Sequence, residues 1–176
     1  VGHPACFHFY HYFRNINKMP RCTGNEKKVR EYILSIAEKN DCETEVDEVG
    51  NVLVRKGATV ERDAPITILQ SHMDMVCEKD EDNEHDFTTD PIEIKKEGDW
   101  ITAKGTTLGA DNGIGLAMAL AVIRGGFNHG QLEFLFTVEE EIGQKGSKNL
   151  SLDFLQGRTL INLDSEEFGS FTIGCA

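Results

Sequence analysis

The sequence predicts an α/β fold whose central sheet is mixed but mainly parallel. Three apolar runs have the composition of buried strands, and each ends in acidic residues: ITILQSHMD (66–74), LEFLFTVEEE (132–141) and TLINLD (159–164). Two other stretches carry apolar residues at helical spacing or on nearly every helical face. Two pairs of β-prone segments flank glycine-containing turns, a pattern typical of antiparallel hairpins.

Composition narrows the class of protein and its partners. The 176 residues are 39% hydrophobic and 27% charged, which is typical of one globular domain with a substantial core. The net charge of -12 argues against nucleic acid and anionic membranes as partners, because both select clustered Lys and Arg. No apolar run could span a bilayer and no signal peptide is evident, so we expect a cytoplasmic protein. The five cysteines include no CxxC pair, and we expect free thiols.

The first twenty residues are rich in aromatic side chains. They also contain a group of metal-ligand types: His3, Cys6, His8 and His11. This spacing matches no standard zinc finger, although a metal cluster stays open as an alternative. The favoured interpretation is a first helix whose aromatic residues pack onto the core.

A second helix follows a capping box. Thr23 and Glu26 are spaced so that each side chain can accept a hydrogen bond from a backbone N–H at the start of a helix. The apolar positions that follow have helical spacing: Val29, Ile33, Ile36 and Ala37. We therefore predict an amphipathic helix that ends near Asn40.

Hairpins and loops account for most of the remaining polar sequence. The segments TEVDEV (44–49) and NVLVRK (51–56) meet at Gly50-Asn51, and IEIKKEGDWITAKG (92–105) turns around Gly98-Asp99. Between them, EKDEDNEHDFTTDP (78–91) is interpreted as a solvated, charged loop. The closing residues FTIGCA (171–176) are expected to form a last strand.

The stretch GTTLGADNGIGLAMALAVIRGG (105–126) predicts a helix buried on nearly all sides from Gly113 to Arg124. Asp111 lies at its start, where an N-cap is the alternative role to a ligand. Several glycines surround it: Gly105, Gly109, Gly113 and Gly115. They indicate a backbone that approaches another group closely or adopts conformations closed to other residues.

The ends of the three apolar strands carry the candidate chemistry. His72 and Asp74 alternate with Met73, so both project to one side of an extended chain, and an imidazole backed by a carboxylate is typical of a metal ligand. Glu139, Glu140 and Glu141 repel one another at the end of a buried strand unless a cation or solvent relieves them. In a sheet with parallel strands these ends meet at one edge.

The predicted constellation is His72, Asp111, Glu140, Glu141 and Asp164. One imidazole with several carboxylates suits zinc, manganese or cobalt and exceeds what one ion needs. We therefore predict a hydrolytic site with two divalent metal ions. The alternative is that these carboxylates only decorate an acidic surface.

Four motifs resemble one known family. SHMDMV (71–76), GTTLGADNGIG (105–115), TVEEEIG (137–143) and LINLDSE (160–166) match, in order and in approximate spacing, the Xaa-His dipeptidases, also called aminoacyl-histidine or cytosol non-specific dipeptidases. These belong to the co-catalytic zinc peptidases. The resemblance runs from Tyr12 to Ala176 and implies a zinc-peptidase-like three-layer sandwich.

The resemblance also implies roles. His72 and Asp164 would bind one metal ion, Asp111 would bridge to a second ion, and Glu141 would bind that second ion. Asp74 would orient His72. Glu140 would be the general base, the substrate would be a dipeptide, and a cis peptide bond would fall between Asp111 and Asn112.

Members of this family are far longer than 176 residues. The resemblance therefore implies that residues 1–176 are the N-terminal portion of a catalytic domain, without the lid domain and the C-terminal part. Those parts carry the last histidine ligand and a lid histidine that steadies the oxyanion. A catalytically silent metal-binding or interaction module of the same fold stays open as an alternative. Dipeptide preference and oligomeric state also stay open, a homodimer being one arrangement.

Overall fold

The three predicted apolar strands lie side by side in one sheet of the computed structural model. It describes residues 4–165 and 169–174, and the side chains of residues 8–151, 153–165 and 169–174. The helices are α1 (Pro4–Ile16), α2 (Lys27–Glu38), α3 (Ala110–Arg124) and α4 (Lys145–Lys148), with a 3-10 turn at Leu152–Phe154. The strands are β1 (Glu43–Val46), β2 (Val52–Lys56), β3 (Thr67–His72), β4 (Ile94–Glu97), β5 (Trp100–Ala103), β6 (Leu132–Thr137) and β7 (Thr159–Asn162).

The main sheet has the strand order β1-β2-β6-β3-β7. β3 pairs in parallel with both β6 and β7, whereas β2 is antiparallel to both of its neighbours. The predicted mixed sheet is confirmed. Its pairs are two parallel and two antiparallel, so the sheet is not mainly parallel as predicted. Because β3, β6 and β7 run in one direction, the polar residues that follow them reach the same edge.

One face of the sheet is covered by helices. α3 packs on β3 and contacts both α1 and α2, as expected for a helix that is apolar on nearly every side. The core between these layers contains Tyr12, Phe13, Ile16, Val29, Ile33, Leu116, Leu120, Phe134 and Phe136. The predicted packing of an aromatic first helix onto the core is therefore present.

The other face is covered by a shorter segment. Phe154 packs on Leu53, Ile68 and Leu135. The buried carboxylate of Glu133 holds the following residues, because it accepts hydrogen bonds from the backbone N–H groups of residues 156 and 157. This segment forms the third layer of the predicted sandwich.

Both predicted hairpins are present. β1 and β2 pair antiparallel around a turn in which Gly50 has φ of 102°, and β4 and β5 form a separate two-stranded sheet around Gly98 with φ of 61°. Residues 78–91 contain neither helix nor strand, in agreement with the predicted charged loop. No helix in the described part of the chain combines the length and the apolar character needed to cross a membrane.

The predicted capping box is wrong. α2 begins at Lys27, the side chain of Glu26 accepts a hydrogen bond from Gly24 N, and the hydroxyl of Thr23 instead donates to Asp74. A contact with a residue 51 positions away has replaced the local cap. The helix ends at Glu38, with Lys39 as its C-cap, in agreement with the predicted end near Asn40.

Two further expectations are corrected. Cys22 and Cys77 form a disulfide, although free thiols were expected. The two cysteines are distant in sequence, and an isolated β-bridge between Cys22 and Met75 brings their segments together. Residues 171–174 lie in no strand, because the exposed Phe171 and Ile173 pair with no neighbouring strand in the described residues. Cys42 is free, whereas Cys175 and the side chain of Cys6 lie outside the described residues.

Candidate metal centre

The imidazole of His72 lies at the end of β3 and is 1% exposed. Its Nδ1 atom lies 3.2 Å from Oδ1 of Asp74, and its Nε2 atom faces the opposite direction. The alternation predicted from the strand thus brings the two side chains together. A carboxylate at Nδ1 fixes the proton there and leaves Nε2 for a ligand.

Asp74 is fully buried and connects three segments. Besides facing His72, it accepts hydrogen bonds from Thr23 Oγ1 (2.8 Å), Glu140 N (3.0 Å) and Glu141 N (3.2 Å). Burial alone would raise the pKa of Asp74, but the hydrogen bonds from His72, Glu140 and Thr23 outweigh burial and lower the pKa. This carboxylate is therefore held ionised while it positions both the imidazole and the acidic loop.

Asp111 reaches the imidazole from the start of α3. Asp111 and Asn112 have non-helical backbone angles. In the described residues no backbone N–H donates to the Asp111 carboxylate, so the alternative N-cap role for Asp111 is not observed. The implied cis peptide bond between Asp111 and Asn112 is present. Oδ1 of Asp111 lies 2.9 Å from Nε2 of His72, and 71% of its side chain is exposed.

Asp164 follows β7 and completes this group. Its Oδ2 atom lies 3.6 Å from Nε2 of His72, and its Oδ1 atom accepts a hydrogen bond from Asn112 Nδ2. Asn112 Nδ2 also donates to the carbonyl oxygen of Leu163 at 3.2 Å. Burial and the charge of Asp111 raise the pKa of Asp164 against the opposing effects of Asn112 and His72.

The acidic loop after β6 supplies two more carboxylates. Ligand atoms of His72, Glu140 and Glu141 lie within 4.8 Å of one another, as do those of His72, Asp111 and Asp164. Burial, followed by the charge of Asp111, raises the pKa of Glu141, and the charge of Glu140 adds to this effect. The sheet edge therefore brings together all five residues of the predicted constellation.

The donor set fits divalent metal ions. Its two groups share one imidazole. Burial raises the pKa values of Glu141 and Asp164, and the negative charge of Asp111 adds to both shifts. A cation between them would remove this repulsion. One nitrogen and four carboxylates suit a borderline ion such as zinc.

His72 has an unusual protonation equilibrium in the metal-free chain. Burial alone would lower the pKa of the imidazole, but hydrogen bonds to Asp74 and Asp111 and the charge of Asp164 raise the pKa to about 9. The imidazole is therefore protonated near neutral pH, and its Nε2–H donates to Asp111. A metal ion at Nε2 would take the place of that proton.

Several residues that support this site were missed by the sequence analysis. The buried guanidinium of Arg21 contacts the backbone on both sides of the site, and Asn112 holds Asp164. Glu26 and Asn51 accept hydrogen bonds from Glu139 N and Val138 N, which positions the acidic loop. The one signal in the sequence was the group of glycines around Asp111, since Gly109 and Gly113 lie against Arg21 and Gly115 lies against Asn112.

The N-terminal group of metal-ligand types is not assembled in the described residues. His3 and the side chain of Cys6 lie outside them, and His11 pairs with Asn15 at 3.0 Å. This alternative therefore stays a hypothesis.

Residues 68–165, more than half of the chain, match the sequence pattern of peptidase family M20/M25/M40. This chain belongs to peptidase family M20/M25/M40. The matched M20/M25/M40 region contains every residue of the predicted constellation and Asp74.

Relatives within and beyond this region support the M20/M25/M40 assignment. The chain is 47% identical over 167 residues to the cytosol non-specific dipeptidase of Escherichia coli (strain K12), covering 93% of this chain and 34% of that protein. The crystal structure of aminoacylhistidine dipeptidase from Vibrio alginolyticus has a TM-score of 0.89 and 42% identity, covering 92% of this chain and 33% of that one. A tripeptidase from Staphylococcus aureus has a TM-score of 0.77 and 25% identity, covering 90% and 43%.

These comparisons confirm the predicted resemblance and the α/β fold. The chain spans about a third of the length of the two dipeptidases that it matches.

Proposed function

We propose that this chain is the N-terminal portion of a metallo-dipeptidase catalytic domain that hydrolyses dipeptides of the Xaa-His type. The observation that carries the proposal is one buried imidazole facing four carboxylates in two overlapping groups. The names of the dipeptidases from E. coli and V. alginolyticus support the substrate class and, for the former, a cytoplasmic location.

Each ligand has a proposed place. His72 and Asp164 would hold one ion, Asp111 would be shared, and Glu141 would hold the second ion. Zinc suits this donor set best, with manganese or cobalt as alternatives. When bound, the ions would polarise the peptide carbonyl and lower the pKa of the attacking water.

The chain's own residues would orient the ligands and move the proton. Asp74 keeps a proton on Nδ1 of His72, so that Nε2 is directed at the ligand position. Glu140 would accept a proton from water on its carboxylate and return it to the leaving amine. Its backbone N–H is anchored to Asp74, which fixes the base relative to the imidazole.

The test is zinc uptake and hydrolysis of alanyl-histidine by this chain. We expect zinc to bind and the dipeptide to be cleaved only with metal present. Asp111→Ala should lower zinc affinity by more than about 100-fold, beyond the loss typical of residues that only support a ligand. Asp86→Ala, in the exposed loop, is the control and should change neither quantity. The absence of zinc uptake would instead assign the carboxylates to an acidic surface.

A second candidate function is a metal-binding module without catalysis. It is favoured by the 71% exposure of the Asp111 side chain and by the sharing of one imidazole between two groups, since both leave a second ion weakly enclosed. Zinc uptake without any hydrolysis of alanyl-histidine would support this function and exclude the first. Oligomeric state, including a homodimer, can be measured on the same sample by light scattering.

Metal binding should release protons at neutral pH. Because the pKa of His72 is raised to about 9 without metal, zinc uptake at pH 7 must displace about one proton from Nε2. Zinc affinity should therefore rise by up to about tenfold per pH unit from pH 7 and level off above pH 9. Calorimetry in two buffers of different ionisation enthalpy measures the released protons.

The control for this measurement is His129→Gln, which alters an imidazole bound to its neighbouring carbonyl away from the site. It should release the same number of protons as the unsubstituted chain. Zinc uptake without proton release at pH 7 would show that His72 is neutral beforehand and would contradict the prediction.

A further inference from the structure

Arg21 is a charged side chain buried beside the candidate metal centre. Only 1% of the residue is exposed, and it is the bulkiest of the fully buried side chains in the described residues. It lies between α1 and α2, in a segment to which the predicted site assigned no role. A buried guanidinium is costly unless its donors are satisfied, so its partners indicate what it holds.

The guanidinium joins two backbone segments that are distant in sequence. Nη1 donates to the carbonyl oxygens of Asp74 (2.7 Å) and Met73 (3.2 Å), and Nη2 donates to that of Gly109. In return, Met75 N donates to the carbonyl oxygen of Arg21 at 3.1 Å. One residue thus connects the chain after β3 with the chain that enters α3.

These segments carry the ligands. Met73 and Asp74 follow His72 directly, and Gly109 precedes Asp111 by two residues. The guanidinium thus joins the segments that carry His72 and Asp111, whose Nε2 and Oδ1 atoms lie 2.9 Å apart.

Two glycines provide independent support. A Cβ atom on Gly109 would lie 2.5 Å from Nη2 of Arg21, and a Cβ atom on Gly113 would lie 2.8 Å from the same atom. Neither space could hold a larger residue while the guanidinium stays in place. The glycines of the GTTLGADNGIG motif thus leave room for Arg21.

The charge of Arg21 also suits this position. In the described residues no carboxylate oxygen lies within 4.0 Å of the guanidinium, whose contacts are carbonyl oxygens. Burial lowers the pKa of Arg21 to about 10, while the charges of Asp74, Asp111 and Glu141 act in the opposite direction. The side chain is still cationic at neutral pH and offsets part of the negative charge of the site.

We propose that Arg21 is a positioning residue that fixes the β3 exit against the α3 entry and thereby sets the metal affinity of the site. This inference rests on the proposed function, because it assumes that His72 and Asp111 bind metal. Arg21 touches neither reacting group and acts through the backbone that carries the ligands.

The test compares Arg21→Met with Arg55→Met. Arg55 is partly buried and bonds Glu133, Glu45 and the carbonyl oxygen of Phe154, but it lies away from the ligands. We expect Arg21→Met to lower zinc affinity by about 10- to 100-fold in competition with a chromophoric chelator. The absorption spectrum of bound cobalt(II), which reports ligand geometry, should also change. Arg55→Met should lower the midpoint of urea unfolding and leave both metal readouts unchanged.

Two further variants keep the test decisive if Arg21→Met does not fold. Arg21→Lys retains the charge but not the fork that reaches both segments, and Gly113→Ala keeps Arg21 but crowds its guanidinium. Both should lower zinc affinity and alter the cobalt spectrum. Unchanged affinity and spectrum in folded Arg21 variants would overturn the inference alone. Absence of zinc uptake by the unsubstituted chain would overturn it together with the proposed function.

Discussion

Replacing Glu140 with glutamine is expected to lower the rate of dipeptide hydrolysis by about 10³-fold while zinc stays bound. An amide has nearly the shape of the carboxylate but cannot accept the proton of the attacking water, and general-base catalysis contributes about 10² to 10⁴ in rate. The backbone N–H of residue 140 would still donate to Asp74, so the acidic loop should keep its position. The measurements are initial rates with alanyl-histidine and zinc content by elemental analysis.

The matched control is Glu139→Gln. This neighbouring carboxylate pairs with Lys145 at 2.6 Å and belongs to neither group of candidate ligands. Its replacement should leave hydrolysis within a few-fold of the unsubstituted chain. Equal loss in both variants would indicate a general effect of charge in the loop, and no loss in Glu140→Gln would assign proton transfer to another group.

Removing the disulfide between Cys22 and Cys77 is expected to lower the free energy of unfolding by about 4 kcal/mol. The cross-link closes a loop with a sequence separation of 55 residues, and the entropy of such a loop in the unfolded chain has about this magnitude. The comparison is urea unfolding of the oxidised chain against the double variant Cys22→Ser, Cys77→Ser.

Cys42→Ser serves as the control for this experiment, because Cys42 is a free, partly buried thiol. It should shift the unfolding midpoint only slightly. Thiol titration should count two fewer reactive groups in the oxidised chain than after reduction. An unfolding midpoint that is insensitive to reductant would contradict the pairing.

The sequence pattern predicted those strands and helices whose apolar residues are close together in the chain. Continuous apolar segments, bounded by polar residues or glycines, predicted the strands β3 and β6 and the buried helix α3. The convergence of His72, Asp111 and Asp164 also followed, because parallel strands bring their carboxyl ends to one edge. The strong apolar pattern leaves few alternative arrangements for these elements.

Contacts between distant residues could not be predicted in the same way. Arg21 bonds the carbonyl oxygen of Gly109 across 88 positions, and Cys22 pairs with Cys77 across 55. Thr23 matched a capping pattern, yet its hydroxyl donates a hydrogen bond to Asp74. In each case the partner depends on how the folded chain brings two distant loops together. The local pattern of a single sequence does not contain that information.

Asp74 has a consequence for how this site can change. A single carboxylate orients the imidazole through one oxygen and also anchors the amides of Glu140 and Glu141. The orientation of the His72 imidazole and the position of Glu140 therefore both depend on Asp74, and neither can change without the other. A substitution that moves Asp74 would change both the metal affinity and the proton transfer by Glu140. We therefore expect these two properties to vary together among natural variants.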